Sequence, residues 1–295
     1  MARKKLKWSD MRPSEKRDHV IYLIGQILKW LFVGSMCIFT LYPVVYTLLG
    51  SFKTNAELTL GGNFLPENWQ FNNYVYAFQK LDFGKYFLNS VVLALLTVVF
   101  TLITSSMAAY VISRRDFVGK KLISTAYLLS MFISVGSVAL YPLYTLMSRL
   151  GLTKNMVGLA LMLTGGQAAN IFMISGFING VPKDLDEAAT IDGAGPFRIF
   201  WQIIVPAIKP ILGVIALFAF RQAWNEFVTA QVFTMANPGL KTLSVAVANL
   251  RYSANAAAEW HIMTAGASIA LLPILLVYLA DRKSTRLNSS HECQS

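Results

Sequence analysis

The residues of this chain with the clearest capacity for specific chemistry lie in a hydrophilic interval, residues 182–193, between two long apolar stretches. Asp184 is followed three residues later by Glu187, and this spacing predicts a variant of the capping box, with Asp184 as the N-cap of a short helix. Gly193 predicts the left-handed residue that ends this helix, and Pro196 predicts the first turn of a second one. The interval therefore predicts two short helices joined by a turn.

A helix of this length is suited to recognition rather than to catalysis. Nucleation is costly, so a short isolated helix needs packing against a partner to persist. Ala188 and Ala189 allow another protein's surface to approach the backbone closely, and Glu187 offers a carboxylate to a basic residue of that partner. The alternative is that Glu187 only caps its own helix and that the two alanines only reflect helix propensity.

Residue patterns typical of enzymes are absent from the sequence. The phosphate-binding pattern G-x-x-x-x-G-K-[ST], the zinc pattern H-E-x-x-H and the nucleophile pattern G-x-S-x-G do not occur. The histidines lie near the ends of apolar stretches or in the tail, at His19, His261 and His291. Cys37 and Cys293 do not form a disulfide framework. We therefore expect no catalytic residue and no cofactor or metal bound by this chain.

The composition predicts a polytopic membrane protein that is all-α. Of 295 residues, 55% are hydrophobic and only 14% are charged, against about 25% charged in soluble domains. A helix needs about 20 apolar residues to span the bilayer, where every backbone polar group must be satisfied internally. Six stretches meet that length and predict six transmembrane helices: 31–50, 88–112, 122–147, 156–179, 207–233 and 261–280.

The net charge of +11 reflects membrane topology rather than a nucleic-acid-binding face. With the N-terminus placed in the cytoplasm, fifteen Lys and Arg residues fall on the cytoplasmic side and seven on the outer side. This asymmetry follows the positive-inside rule, so both termini are predicted to be cytoplasmic. The interval at residues 182–193 is then cytoplasmic as well.

The spacing of the interval, E-A-A-x-x-x-G followed by nine residues and then I-x-V-P at Ile203 to Pro206, resembles the coupling loop of permease subunits of ATP-binding cassette (ABC) importers. The chain is similar over residues 20–280 to the carbohydrate-type, second-permease branch of binding-protein-dependent importers. Val205 stands where that pattern usually has leucine. Weaker similarities outside the loop are Ser51-Phe52-Lys53, Asn89-Ser90, Ala109-Tyr110, Arg114, Phe117 and Trp224-Asn225-Glu226-Phe227.

The resemblance implies the type I transmembrane fold of ABC importers and a role for the loop in coupling to an ATPase. The residues implied in coupling are Asp184, Glu187, Ala188, Ala189, Gly193, Ile203 and Pro206. The implied partners are a second permease subunit in a heterodimer, two ATP-binding subunits that carry ATP and Mg, and an extracytoplasmic solute-binding protein. The implied location is the prokaryotic plasma (inner) membrane, and the implied cargo is a carbohydrate of unspecified type.

Polar residues at bilayer depth predict a translocation path, because such groups are costly unless they face the bundle interior or a wet cavity. Arg221 lies near the middle of the predicted fifth span, where a cation costs about 2.5 to 3.5 kcal/mol. The other candidates are Gln167, Asn170, Trp224, Asn225 and Glu226. The alternative is that these residues form hydrogen bonds between helices, including bonds to the partner permease.

The chain divides into four predicted parts. They are residues 1–30, a cytoplasmic segment and the start of helix 1; residues 31–85, helix 1 and an outer loop; residues 86–280, a five-helix core with the coupling loop at 182–196; and residues 281–295, a tail. The tail looks like a translated sequencing adapter, and we expect residues 281–295 to be non-native and the native chain to be cut off near Ala280.

Two other classes of protein fit the sequence less well. A self-contained secondary transporter usually has related halves with interrupted spans at matching positions, and Pro206 and Pro210 have no counterpart in the first half. An intramembrane enzyme needs a nucleophile with a base, or a metal cluster. Both alternatives predict that the isolated chain is active, whereas the importer interpretation predicts activity only in a complex.

Overall fold

The computed structural model describes residues 12–61, 63–80, 82–133, 136–250 and 259–292, with side chains described except at 13–16, 18, 80 and 279–292. Every regular element in these ranges is helical, which confirms the all-α prediction. The helices are α1 Pro13–Gly50, α2 Asn55–Thr59, α3 Asn72–Lys80, α4 Phe83–Arg114, α5 Lys120–Ser130, α6 Leu140–Arg149, α7 Met156–Leu163, α8 Ala168–Asn179, α9 Asp184–Ile191, α10 Pro196–Ile199, α11 Val205–Ala207, α12 Lys209–Asn225, α13 Val228–Thr234, α14 Leu243–Asn249 and α15 Trp260–Glu292.

Within the described ranges, three helices are long and apolar enough to cross a membrane, and two bent pairs raise the number to five. The three are α1, α4 and α15, and the bent pairs are α7 with α8 and α10–α11 with α12. The predicted stretch at 122–147 is divided between α5 and α6, so helix length does not confirm the number six. Gly136, which lies between them, has a left-handed φ of +54°.

Both bent spans have a local cause in the sequence. α7 and α8 meet at 66°, and between them Gly166 has a φ of +69°, which a residue with a side chain rarely adopts. α10–α11 and α12 meet at 83°, and a π-helical turn, Phe200–Ile204, lies on the α10 side of the bend. Pro206 and Pro210 have no amide hydrogen to donate to the preceding turn. The predicted span 207–233 is also interrupted between α12 and α13.

Helix α4 lies at the centre of the bundle and packs against α7, α8, α12 and α14. Two apolar clusters line its length. The cluster nearer to α9 includes the fully buried Ile174, Ile204 and Ile215, and the cluster at the opposite end includes Trp224 and Phe233. Burying such side chains contributes about 1.5 to 3 kcal/mol each. Both α4 and α12 contribute residues to the two clusters and so connect the two halves of the core.

The segment after α1 is folded around Asn73, whose side chain is only 4% exposed. Its amide nitrogen donates to the carbonyl oxygens of Ser51 at 2.9 Å and Lys53 at 2.8 Å. These two bonds tie α3 to the end of α1. The Lys53 ammonium donates to the Asn63 carbonyl at 2.6 Å, so Ser51-Phe52-Lys53 organises this region.

We expect Asn73→Ala to loosen residues 51–80, because it leaves two buried carbonyl groups without a donor at a cost of about 1 to 3 kcal/mol. Limited proteolysis of membrane vesicles should show faster cleavage in this segment. Asn72→Ala is the matched control, since the Asn72 side chain is exposed. Equal cleavage rates for the two variants would show that Asn73 is not the organising residue.

Candidate functional site

The predicted helix at 182–193 forms as α9, but it begins one residue earlier than a capping box requires. Lys183 already has helical angles, with φ −67° and ψ −25°, and its carbonyl accepts from the amides of Asp186 at 2.9 Å and Glu187 at 3.1 Å. The prediction of Asp184 as N-cap is therefore wrong, and no side-chain cap is formed at this helix start. Asp184, Asp186 and Glu187 instead place three carboxylates in the first turn, where the helix dipole favours negative charge.

The predicted end of α9 is confirmed. Gly193 has a φ of +78°. Its amide donates to Thr190 at 3.0 Å and the next amide, Ala194, donates to Ala189 at 2.9 Å, which is the bond pair of a Schellman motif. Pro196 occupies the first turn of α10, as predicted.

The last turn of α4 holds α9 in place through Arg114, whose side chain is only 4% exposed. Its Nη2 donates to the Val181 carbonyl at 2.6 Å. Its Nε lies 3.2 Å from Asp186 Oδ2 in an ion pair that is not aligned as a hydrogen bond. One turn earlier, the Tyr110 hydroxyl donates to the Pro196 carbonyl at 3.3 Å. Thus α4 fixes both the start of α9 and the start of α10.

A cavity of about 340 Å³ lies between α9 and this end of α4. The predicted coupling residue Glu187 lines it from α9, and basic side chains line it from both elements. The lining residues are Tyr110, Arg114, Arg115, Lys183, Asp186, Glu187, Thr190, Ile191 and Ile199. The cavity is therefore lined by both basic and acidic side chains. Of its two acidic residues, Glu187 is exposed and Asp186 is half-buried.

Large apolar side chains are exposed on α9, on α10 and on the π-helical turn that follows α10. Ile191 is 87% exposed, Leu185 is 48% exposed, and Phe197 and Trp201 are also exposed. Ala188 lies between Leu185 and Ile191 on α9 and is exposed too. Clustered exposed apolar residues mark interaction sites. Sequence reasoning identified Ala188 but missed Leu185 and Ile191.

The other predicted coupling residues lie at the edge of this surface. Ala189 is half-buried and packs against the apolar cluster near α9, as does Ile203. Pro206 is exposed in α11, at the bend before α12. The predicted coupling residues all lie within residues 182–206, which we call the α9 segment, and their role in coupling stays a prediction.

The predicted path residues do not form one cluster. Gln167 lies at the bend between α7 and α8, where its Oε1 accepts from the Thr104 hydroxyl at 3.1 Å. Its Nε2 donates to Thr101 Oγ1 at 3.4 Å, so Gln167 ties the bend to α4. Asn170 is half-buried on α8. The role of both residues in a path stays a prediction.

The remaining path candidates lie at the end of α12. Trp224 is buried in the core, stacked on Phe220, and its indole nitrogen donates to the Ala270 carbonyl at 3.2 Å. The Glu226 carboxylate accepts from the backbone amide of Thr229, in the first turn of α13, at 2.8 Å. These bonds give both side chains structural roles.

Arg221 and Asn225 are exposed, one turn apart. The Asn225 side chain donates through its Nδ2 to the Arg221 carbonyl at 2.9 Å. Arg221 lies four residues before the end of α12 at Asn225, so it is close to the end of this helix rather than in the middle of a span.

The architecture defines the class: a helical membrane protein with a short-helix segment fixed to one end of a central helix. Residues 102–286 match the family described as "Binding-protein-dependent transport system inner membrane component". The chain belongs to this family. Its members are permease subunits of ABC transporters, so the chain is an integral membrane transport subunit rather than an enzyme, and ATP hydrolysis resides in separate subunits.

Several relatives align along most of their length. The chain is 30% identical to the diacetylchitobiose uptake system permease of Streptomyces coelicolor, over 82% of this chain and 80% of the relative. It is 32% identical to the trehalose transport system permease of Mycobacterium tuberculosis, over 86% and 90%. It is 30% identical to the galactooligosaccharides transport system permease of Bacillus subtilis, over 88% and 92%.

A solved structure has the same fold. It is a chain from the crystal structure of a bacterial ABC transporter involved in the import of the acidic polysaccharide alginate. The TM-score is 0.75 at 22% identity, over 95% of this chain and 99% of that chain. The predicted type I importer fold and the sequence-based family assignment are therefore confirmed.

Proposed function

We propose that this chain is one permease half of an ATP-driven carbohydrate importer and that the α9 segment docks onto an ATP-binding subunit. The observation that carries the proposal is that α9 is held in place and yet leaves large apolar side chains uncovered. Asp186 fixes α9 to α4 through its ion pair with Arg114, while Leu185 and Ile191 of the same helix stay exposed. A short helix with an exposed apolar side needs a groove to cover it, and the partner supplies that groove.

The carbohydrate assignment rests on the relatives. The permeases cited above are named for the uptake of diacetylchitobiose, trehalose and galactooligosaccharides. The likeness extends over most of each relative, which supports a sugar or oligosaccharide as the cargo. Self-contained secondary transport, the alternative considered from the sequence, has no comparable support.

The proposed assembly contains a second permease, two ATP-binding subunits that carry ATP and Mg, and an outer solute-binding protein. A structure with the same fold is that of an alginate importer in complex with a periplasmic protein bound to an alginate pentasaccharide. None of the most apolar window of α1 is buried by the rest of the chain. This supports contact of α1 with lipid or with the second permease.

The proposed location is the prokaryotic plasma membrane, with the α9 segment and both termini in the cytoplasm. The distribution of Lys and Arg supports this orientation. In the same orientation, residues 51–80 and 236–250 face outwards, where a solute-binding protein docks.

Cysteine crosslinking tests the docking proposal. Ala188→Cys is introduced into a Cys37→Ser, Cys293→Ser background, and membrane vesicles are treated with a short bifunctional crosslinker. We expect capture of an ATP-binding subunit, identified by mass spectrometry. The matched control is Met235→Cys, an exposed residue near the opposite end of α4, which should not capture it. Failure of Ala188→Cys to capture such a subunit would refute the proposed docking.

A further inference from the structure

Helix α4 is clamped at both ends by polar side chains. At the end opposite to α9, the side-chain Nδ2 of Asn89 donates to the carbonyls of Gly239 and Lys241, each at 2.9 Å. The neighbouring Ser90 hydroxyl accepts from the Leu243 amide at 2.8 Å. These bonds hold the start of α14 and the loop before it against α4. At the other end, Arg114 holds α9, as described above.

The two spans that are continuous in sequence with the α9 segment are both broken. α8 joins α7 at a 66° bend, and α12 joins α10–α11 at an 83° bend that follows a π-helical turn. Such bends can absorb rotation of the α9 segment before it reaches the far side. By contrast, α4 is an unbroken helix of 32 residues, which corresponds to about 48 Å at 1.5 Å per residue.

We infer that α4 transmits movement of α9 to the loop at residues 237–243, and that Arg114 is the positioning residue that locks α9 to α4. This inference rests on the proposed docking of α9 and adds the route by which the movement crosses the membrane. The route uses side-chain bonds to a helix that is remote in sequence, instead of the chain connections on either side of α9.

The geometry at Arg114 suits this role. Its planar guanidinium uses two nitrogens at once, one on the Val181 carbonyl and one beside the Asp186 carboxylate, which restrains α9 in rotation as well as in position. Lysine offers a single flexible ammonium and cannot reproduce both contacts. Because the Arg114 side chain is almost fully buried, salt screens the pair much less than a surface pair.

The test uses the whole importer, copurified through a tag on this chain and placed in lipid nanodiscs. Met235→Cys in the Cys37→Ser, Cys293→Ser background is the reporter, because Met235 is 70% exposed next to the loop that Asn89 holds. The rate of maleimide labelling is measured without nucleotide and with ATP, Mg and vanadate. We expect the parent rate to change by about fivefold or more, within the usual range of coupling between sites.

In Arg114→Lys, the labelling rate is expected to change less than about twofold with nucleotide, while ATP hydrolysis continues. Continued hydrolysis shows that the complex is still folded and assembled, so the lost response reports the positioning of α9. Asp186→Asn, which keeps the bond to Val181, should give an intermediate response. Asn89→Ala should also lose the response, and the double variant with Arg114→Lys should lose no more, because both act on one route.

Asp116→Asn is the matched control. It breaks the exposed Asp116–Lys120 ion pair, 3.0 Å long at the same end of the molecule, and should leave the response unchanged. A full nucleotide response in Arg114→Lys would overturn the inference. So would a labelling rate of the parent Met235→Cys protein that does not change with nucleotide. Failure of the docking proposal itself is recognised separately, by the absence of crosslinks from Ala188→Cys.

Discussion

Replacing Gly193 with valine is expected to lower crosslinking of α9 to the ATP-binding subunit by about tenfold, with the amount of chain in the membrane unchanged. The φ of +78° at this residue places it in the left-handed region. An L-residue pays about 1 to 2 kcal/mol there, and a β-branched side chain is a clear outlier. Since about 1.4 kcal/mol corresponds to a factor of ten, this penalty lowers the population of the native turn at the end of α9 about five- to thirtyfold.

The effect of Gly193→Val is conformational rather than steric, because a Cβ atom at Gly193 would meet no other atom within 4 Å. Gly193→Asn should therefore retain most of the crosslinking, since asparagine tolerates the left-handed region. Gly195→Ala is the matched control in the same turn, with φ −72° and equally open space. If Gly195→Ala were as damaging as Gly193→Val, the backbone argument would fail.

The parts of the α9 segment that the sequence predicted correctly are those fixed by backbone rules. A glycine that ends a helix and a proline that starts one are local signals, so Gly193 and Pro196 could be assigned without tertiary information. The N-cap at Asp184 could not, because Asp is also favourable inside the first turn. The backbone of Lys183 decides between the two positions, and its helical angles shift the start of α9 by one residue.

The contact that fixes α9 was beyond the reach of a single sequence. Arg114 was noted only as part of a weak similarity, and Asp186 was not singled out within the hydrophilic interval. They belong to separate helices, and nothing in their spacing indicates that they meet. Burial of Arg114 is visible only in the structure, where its partners become Val181 and Asp186.

Hydropathy predicted where apolar stretches lie but not where they bend. Window averages are insensitive to a single left-handed residue, so the break at Gly166 was missed within the stretch at 156–179. Similarly, the sequence did not show that Trp224, one of the path candidates, is a buried residue of the core. Its role in a path stays a prediction.

The second large effect is expected for Ile191→Asp, which should weaken association with the ATP-binding subunit by about ten- to a hundredfold. Ile191 is 87% exposed at the end of α9. Covering an isoleucine side chain contributes about 1.5 to 3 kcal/mol to an interface, and a carboxylate in its place loses this gain and also has to be desolvated. The measurement is titration of the purified ATP-binding subunit onto the permease in nanodiscs.

Val118→Asp is the matched control, because Val118 is an equally exposed apolar residue on the hairpin between α4 and α5, at the same end of the molecule. The substitution adds the same charge without touching the α9 segment. A selective loss for Ile191→Asp therefore attributes the affinity to the apolar side of α9 rather than to the charge of this end. Equal affinities for the two variants would mean that Ile191 stays uncovered in the complex and that the docking surface lies elsewhere.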